Sequence, residues 1–362
     1  MNSRCGLVLS LPFRHFVCTQ NMNTYETTLS QLRAEPRRWL VTGCAGFIGS
    51  HILQDLLSLG QRVVGLDDFT TGSPRNLDLV RSAVGEDSWA RFRFMSGSVA
   101  DISVCREACA GADAISHQAG FISVPLSLED PLACHATNVT GTLNLLTAAR
   151  DAGVRRVAYA SSCAVYGDET TMPMREDRIG RALSPYGASK LMDEQYAGLF
   201  AMHFGMHCVG LRYFNVFGPR QNPKGGYAAV IPAWIVAQVA GEECVVNGDG
   251  EQTRDFCHVG NIVQANLLAA TTENASSSGQ AYNIGLGGST TLNELHRLIS
   301  TKLAALDAKF QPRPARYGPA RAGDIRHASA DIEKARRDLG FEPSVTVDAG
   351  LTETVRWYAE SV

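Results

Sequence analysis

The sequence predicts an α/β fold, a doubly wound parallel sheet followed by a smaller mixed C-terminal domain, on three observations. Between residues 39 and 212, short apolar runs of strand length alternate with helical patterns, the order that builds a parallel sheet with helices on both faces. A glycine-rich turn joins the first run to the first helix, and the second run ends on an acidic pair. Beyond Tyr213 the alternation lapses into loops and isolated helices, which marks a change of domain. The expected division is an N-terminal extension over 1–37, a sheet domain over 38–214 and a smaller domain over 215–362, part of which packs back on the sheet.

With 362 residues, 45% hydrophobic and 19% charged, the chain can bury a sizeable core in one large or two interlocked domains. The formal net charge is −3 and the pI about 6.3, so no global field attracts nucleic acid or an anionic membrane. The 10 cysteines are scattered, without a Cys-x-x-Cys pair or a histidine at zinc spacing, so no metal is expected. Reduced thiols in a cytoplasmic protein are the reading. In the leading segment the apolar run from Gly6 to Phe13 is too short to span a bilayer and is cut by Arg14 and His15. No small-x-small cleavage site follows cleanly, so residues 1–21 read as a frayed tail or an over-long translation start, with Met22 as the alternative beginning. A short helix over 25–33 precedes the fold proper.

The first strand, Trp39-Leu40-Val41-Thr42, runs into Gly43-Cys44-Ala45-Gly46-Phe47-Ile48-Gly49 and then the helical pattern Ile52, Leu53, Leu56, Leu57, closed by Gly60. Glycines let the backbone turn tightly and approach a pyrophosphate, whose charge is favoured at a helix N-terminus. The spacing is Gly43-x-x-Gly46-x-x-Gly49, a departure from Gly-x-Gly-x-x-Gly. The second strand ends on Asp67-Asp68, where an acid binds an adenosine ribose hydroxyl and repels a 2′-phosphate. NAD is therefore expected over NADP. A loop or cap role for Asp67 is the alternative, and the register of strand, glycine turn, helix, strand and acid argues against it.

The pattern continues with a strand over 92–96, a helix over 104–110, a strand over 114–118, one long helix over about 130–152 and a strand over 156–160. His117-Gln118-Ala119-Gly120 falls just past a strand end, where ligands of such sheets collect, although His117 reads equally as a satisfied core histidine. Ser161-Ser162-Cys163-Ala164-Val165-Tyr166-Gly167 stands at the next strand end, and a serine-rich turn explains Ser161 as easily as Ser162.

Ser184-Pro185-Tyr186-Gly187-Ala188-Ser189-Lys190 then sets a tyrosine four residues before a lysine, on one face of a helix. A free phenol titrates near ~10, and service as a base near neutrality needs a drop of roughly 3 units, about 4 kcal/mol. An ammonium about 4 Å away supplies roughly that much at an effective dielectric of ~20. A lone Tyr-x-x-x-Lys is more often an ordinary surface pair; a strand-end hydroxyl that can face the same cleft makes it a proton relay.

After a strand over 207–212 come Tyr213-Phe214-Asn215, a helix over 230–240 and Asn247-Gly248-Asp249-Gly250, which reads as a hairpin-like turn ahead of Thr253-Arg254-Asp255. Arg313, Arg316, Arg321 and Arg326 crowd a proline-rich segment, where loop arginines suit bidentate phosphate recognition; Arg313 and Arg316 read as a solvated face. The last helix is expected over 347–359.

In this order, Gly43-x-x-Gly46-x-x-Gly49, Asp67, Ser162, Tyr186-x-x-x-Lys190, Tyr213-Phe214-Asn215, Arg254-Asp255 and Arg321-Ala322-Gly323-Asp324 resemble the extended short-chain dehydrogenase/reductases. Within that group the chain is similar to the nucleotide-sugar 4-epimerases, most closely the bacterial UDP-N-acetylglucosamine 4-epimerases of surface-polysaccharide synthesis, from about residue 25 to the C-terminus. The resemblance implies a Rossmann-type sheet with Tyr186 as base, Lys190 as its electrostatic partner and ribose anchor, and Ser162 as the hydroxyl that holds or relays the sugar 4-OH proton. It implies an NAD site built from Gly43, Gly46, Phe47, Ile48, Gly49, Asp67, Ser98, Val99, Gln118, Ala119, Asn138, Tyr186 and Lys190. It also implies a UDP-sugar site from Ser162, Tyr186, Asn215, Val230, Asn247, Arg254, Arg321, Asp324 and Ala328. The implied reaction passes through a transient 4-keto sugar with no net redox change, and the family's dimers suggest a homodimer formed by the helices over 131–152 and 186–204.

Two departures stand out. The family usually carries Gly-Asp after the third strand, here Gly97-Ser98, and a basic residue where Leu126 follows Ser123-Val124-Pro125. Dehydratases and decarboxylases of the same fold place a carboxylate directly after the catalytic hydroxyl, whereas Ser162 is followed by Cys163 and Ala164. An epimerase is thus expected ahead of those lyases, and ahead of a catalytically silent NAD-binding regulator, which need not keep Ser162, Tyr186 and Lys190 together. The position matching Ala328 walls the pocket beside the sugar C2 substituent and is a bulky tyrosine in relatives restricted to plain hexoses. Alanine there favours UDP-N-acetylglucosamine over UDP-glucose or UDP-glucuronate.

Overall fold

The computed structural model describes residues 24–223, 229–319 and 326–361. Helix α1 (Thr24–Ala34) leads into β1 (Arg38–Thr42), α2 (Phe47–Ser58), β2 (Arg62–Asp67), α3 (Pro74–Val84), the single turn α4 (Glu86–Trp89) and β3 (Phe92–Ser96). Next come α5 (Ile102–Cys109), β4 (Ala114–His117), α6 (Val124–Glu129), α7 (Pro131–His135), α8 (Gly141–Asp151), β5 (Arg156–Ser162), α9 (Pro185–Phe204) and β6 (His207–Tyr213). The rest supplies β7 (Val216–Phe217), α10 (Val230–Val239), β8 (Val245–Asn247), β9 (Thr253–Arg254), β10 (Cys257–His258), α11 (Val259–Thr271) and β11 (Gln280–Ile284). It closes with β12 (Thr290–Thr291), α12 (Leu292–Leu306), β13 (Arg316–Gly318), α13 (Glu333–Leu339) and α14 (Val347–Ser361).

Seven strands form one parallel sheet in the order β11-β6-β5-β4-β1-β2-β3. The order reverses between β1 and β4, and a doubly wound sheet opens a crevice at that point, beyond the strand C-termini. Trp39, Leu40 and Val41 are all buried because helices cover both faces, which is why the run is continuously apolar rather than alternating. Trp39 and Val41 join Ile52, Leu53, Leu56 and Leu57 of α2 and Ile262 and Leu267 of α11 on one face. Leu40 points the other way, into the layer of Cys105, Leu145, Leu146, Ala197 and Phe200. Although late in sequence, α11 and β11 thus belong to the sheet layers. A separate core joins Trp234 and Ile235 of α10, Leu295, Ile299 and Leu303 of α12, and Leu351, Val355 and Tyr358 of α14.

Helix α9 is fixed at both ends. The Ser184 hydroxyl accepts the Gly187 N–H at 3.1 Å, Pro185 occupies the first turn, and Gly205 ends the helix at φ 63°. The long helix expected over about 130–152 runs unbroken over 131–151, with a π-helical turn over Ala136–Thr140 between α7 and α8; on that widened turn Asn138 clamps Phe121 through both its main-chain N–H and C=O. One expectation is corrected. The segment 247–250 is not a hairpin. Strand β8 pairs in parallel with β13, and Gly248 and Gly250, both at positive φ, swing the chain towards β9, which pairs antiparallel with β12.

Candidate active site

The β1–α2 turn lies at the switch point, where Thr42 is in register with both Leu66 of β2 and His117 of β4. Gly43 adopts φ 68°, and a Cβ there would come 2.7 Å from Ala119 N; a Cβ on Gly49 would come 2.0 Å from the Gly43 carbonyl oxygen. Gly46 is roomier, 3.1 Å from that same oxygen. The turn therefore leaves bare backbone ahead of α2, whose first N–H groups have no intrahelical partner, and Phe47 and Ile48 start that helix partly exposed. Asp67 closes β2 and binds the turn itself: its Oδ2 accepts Ala45 N–H at 2.9 Å and its Oδ1 accepts Phe69 N–H at 2.8 Å. Burial pushes the carboxyl up, and these N–H groups oppose it.

Ser98 and Val99 follow β3 at the same sheet edge; Ser98 is partly exposed, and buried Val99 accepts from Asn144 at 3.2 Å. Gln118 and Ala119 follow β4, their N–H groups donating to the Thr42 hydroxyl at 3.2 and 3.1 Å. The Gln118 amide is turned into the protein, donating to Asn266 at 2.9 Å and accepting from the Tyr213 hydroxyl at 3.0 Å. A bare glycine turn at a helix N-terminus, flanked by a strand-end carboxylate, fits an adenine dinucleotide: pyrophosphate on the turn, ribose at Asp67. His117 is the satisfied core histidine, with Nδ1 2.6 Å from the Thr42 hydroxyl and Nε2 3.1 Å from that of Thr142.

The proton relay assembles where β5 ends against α9. Ser161 and Ser162 point to opposite sides. The Ser161 hydroxyl donates to Glu194 at 2.6 Å, whereas that of Ser162 accepts Ala164 N–H at 3.1 Å and acts on the Tyr186 phenol, favouring its ionised form. Tyr186 N–H is tied to the Ser127 hydroxyl at 3.1 Å, which links α9 to α6. Buried Lys190 donates to the Ala160 carbonyl at 3.0 Å and to Asp193 at 3.2 Å. A Cβ on Gly120 would lie 3.5 Å from Lys190 Nζ and 3.1 Å from Asn138 Oδ1, so the bare face of Gly120 looks onto both groups. Asn138 also donates to the Ser189 hydroxyl at 2.8 Å, joining the π-helical turn to α9.

The expected depression of the phenol by its ammonium is not realised in the protein alone. Burial raises the Tyr186 phenol, the Lys190 ammonium and the Ser162 hydroxyl pull it down, and Asp193 adds to the rise. Burial works to lower Lys190, but the Asp193 and Tyr186 oxygens outweigh it and hold the ammonium above its ordinary value.

Across the cleft, the Asn215 carbonyl accepts Cys257 N–H at 3.0 Å directly after buried Phe214. Arg254 donates to the Thr253 and Arg326 carbonyls at 2.8 and 3.4 Å, and its charge pulls on the Cys163 thiol, which burial pushes up to about 11. Ala328 is buried among Val165, Tyr166 and Phe214, its N–H donating to Thr253 at 3.2 Å. The structure therefore gathers Arg254, Ala328 and the Ser162–Cys163 turn. Val230 opens α10 and Asn247 closes β8, and no hydrogen bond among the described residues joins either to Ser162, Tyr186 or Lys190. Arg321 and Asp324 lie outside the described residues.

Sequence reasoning missed Asp193 and Glu194. Glu194 forms a buried bidentate pair with Arg212, at 2.9 and 2.8 Å, and Arg212 lies over the Tyr166 ring, 5.1 Å from its centroid. Asp193 was legible only as a position three residues past Lys190 on the same helix.

Residues 39–285 match the model of the NAD dependent epimerase/dehydratase family. A UDP-glucose 4-epimerase of Mycolicibacterium smegmatis is 36% identical over 323 residues, spanning 89% of this chain and 98% of that protein. A UDP-N-acetyl-alpha-D-glucosaminuronate decarboxylase of Bacillus cytotoxicus is 31% identical over 90% of this chain and 98% of its own length. Among solved structures, a UDP-N-acetylglucosamine 4-epimerase of Methanobrevibacter ruminantium in complex with UDP-N-acetylmuramic acid superposes with a TM-score of 0.82 at 34% identity, covering 91% of this chain and 100% of that one. A UDP-glucose 4-epimerase of Thermotoga maritima with UDP-glucose gives 0.81 at 33% identity, over 90% of this chain and 99% of that one.

Proposed function

The chain belongs to the NAD dependent epimerase/dehydratase family, and from that premise we propose that it inverts C4 of a UDP-sugar, interconverting UDP-N-acetylglucosamine and UDP-N-acetylgalactosamine. The observation that carries this reading is the Ser162–Tyr186–Lys190 relay followed by Cys163 and Ala164, where lyases of the fold need an acid. The Asp255 carboxylate, whose charge bears on Cys163, is already taken up by N–H groups of Leu286, Gly287 and Ala330 at 2.9, 3.0 and 3.2 Å. It is unavailable as a leaving-group acid.

Tyr186 acts as base on the sugar 4-OH, and Ser162, which favours the ionised phenol, holds or passes that proton. Because burial works against the phenolate, the ammonium of Lys190 has to remain charged for Tyr186 to serve. NAD, held by the Gly43–Gly49 turn and Asp67, would supply the hydride acceptor for C4 and the source of its return. Asn215, Arg254, Arg321 and Asp324 hold the UDP, and Val230 and Asn247 belong to the same substrate site. Alanine at 328 adds the least bulk beside C2, and its packing with Val165 and Tyr166 supports a position close to the reacting sugar.

The product serves a cytoplasmic step of surface-polysaccharide synthesis, and the working form is a homodimer. Exposed apolar side chains support that pairing: Leu128 on α6, Leu132 on α7, and Met192, Leu199 and Met202 on α9. No helix among the described residues is long and apolar enough to cross a membrane. The test is to incubate the purified protein with UDP-N-acetylglucosamine, add no cofactor, and follow the appearance of the galacto epimer by NMR. A dehydrated or decarboxylated product, or none from any UDP-sugar, would overturn the reading.

A further inference from the structure

Asp193 stands one turn beyond Lys190 on α9, which puts its carboxylate on the same helical face. The pair is deep: the side chains are 7% and 1% exposed, and Oδ2 lies 3.2 Å from Lys190 Nζ. Oδ1 is buried without a hydrogen-bond partner. Burial works to hold this carboxyl up, while Lys190 works to bring it down. Stability gives no reason for the arrangement. Desolvating two ions costs several kcal/mol each, and a single ion-pair contact with one oxygen left unpaired is poor repayment. Asparagine would fill the same space without the charge, so the charge needs its own explanation.

Other ionisable groups nearby do not supply that charge. Glu194, on α9, is spent on Arg212 of β6 and Ser161 of β5. His117, from β4, is held neutral by burial and has both ring nitrogens engaged. Burial pushes up the thiols of Cys134 on α7 and Cys163 beyond β5, and the phenol of Tyr159 on β5, so these remain protonated. Asp193 is left as the negative charge that meets Lys190 and acts through it on Tyr186.

We propose that Asp193 is a positioning residue for the Tyr186–Lys190 pair: its carboxylate pins the ammonium beside the Ala160 carbonyl, keeps it charged in a dry site, and trims the field it exerts on the phenol. The proposal rests on the functional reading above, in which Tyr186 is the base. Removing one nearby negative charge makes both neighbours easier to deprotonate. In Asp193→Asn the acid limb of the pH–rate profile, set by Tyr186, and the alkaline limb, set by Lys190, should therefore both move to lower pH. The expected displacement is roughly one pH unit, the scale of a unit charge several Å away in a partly screened interior.

The decisive experiment records kcat and kcat/KM against pH for wild type, Asp193→Asn and Asp193→Ser. In parallel, the near-ultraviolet absorbance of the Tyr186 phenolate is titrated with the Tyr186→Phe signal subtracted. A joint downward shift of both limbs, matched by an earlier phenol titration, supports the proposal. Limbs that stay in place while kcat or the melting temperature falls overturn it, as does failure of both neutral variants to fold, which would make the carboxylate a structural element. Should the wild type interconvert no UDP-sugar, the functional reading fails, while the phenol titration still decides what Asp193 does.

Discussion

Replacing Ala328 by tyrosine tests whether this position gates the sugar. Ala328 is 7% exposed and packed with Val165 and Tyr166 beside the turn that carries Ser162, so on the proposed reading a phenol ring grown from its Cβ is forced towards the sugar. Overpacking a filled neighbourhood costs about 1 to 3 kcal/mol of stability, so the variant should melt a few degrees lower and remain folded. The effect on selectivity is separate. An N-acetyl group displaced by the ring loses its fit and leaves an amide unpaired, at a cost of about 1 to 3 kcal/mol. That corresponds to a fall of roughly 5- to 150-fold in kcat/KM for the N-acetylated pair, with the plain hexoses spared. The assay measures kcat/KM for UDP-N-acetylglucosamine and UDP-glucose on wild type and Ala328→Tyr, in both directions, with melting curves as the folding control. Equal losses on both pairs, or a wild type that turns over only plain hexoses, would refute the gate and reduce the substrate to an unspecified UDP-hexose.

Tyr186→Phe should keep the fold and cofactor retention while removing most turnover, and near-normal rates in that variant would sink the mechanism. Ser162→Ala should slow turnover on the order of 10²-fold or more, whereas Ser161→Ala, which loses only its bond to Glu194, should mainly lower the melting temperature. Asp67→Ala removes the acceptor for Ala45 and Phe69 N–H together with the proposed ribose partner. It should strip NAD from the purified protein, and unchanged retention on extraction would count against the assignment. Acid should destabilise the fold through His117, whose folded value burial pushes down to about 3. A depressed group lends stability above its unfolded value near ~6.5 and loses it as pH falls towards the folded one. Burial holds Asp55 and Asp193 up at about 6, and they act in the opposite sense over the carboxylate range. Melting temperatures from pH 7 to 4 should fall less steeply in His117→Gln than in wild type; parallel curves would remove His117 from the account.

The strand, glycine turn, helix, strand and acid series was legible because each part is a local pattern. Trp39 to Thr42, the Gly43–Gly49 turn and Asp67 fall where a parallel sheet needs them, and helical spacing alone brings Tyr186 and Lys190 to one face. Adjacent strand residues differ only in which face they meet, so the choice between Ser161 and Ser162 depended on how α9 docks on β5. The turn after Asn247 was misread as a hairpin because its partner, β13, lies about seventy residues away, and glycines at positive φ serve either route. The depth of Asp193 was invisible for a related reason. A charged residue at helical spacing is ordinary on a solvated face, and only the packing of α7, α8 and β5 around α9 turns it into a buried counter-charge for Lys190. Periodicity follows from backbone geometry and is written along the chain; burial, and with it the electrostatics of the site, depends on residues far apart in sequence and exists only once the layers close.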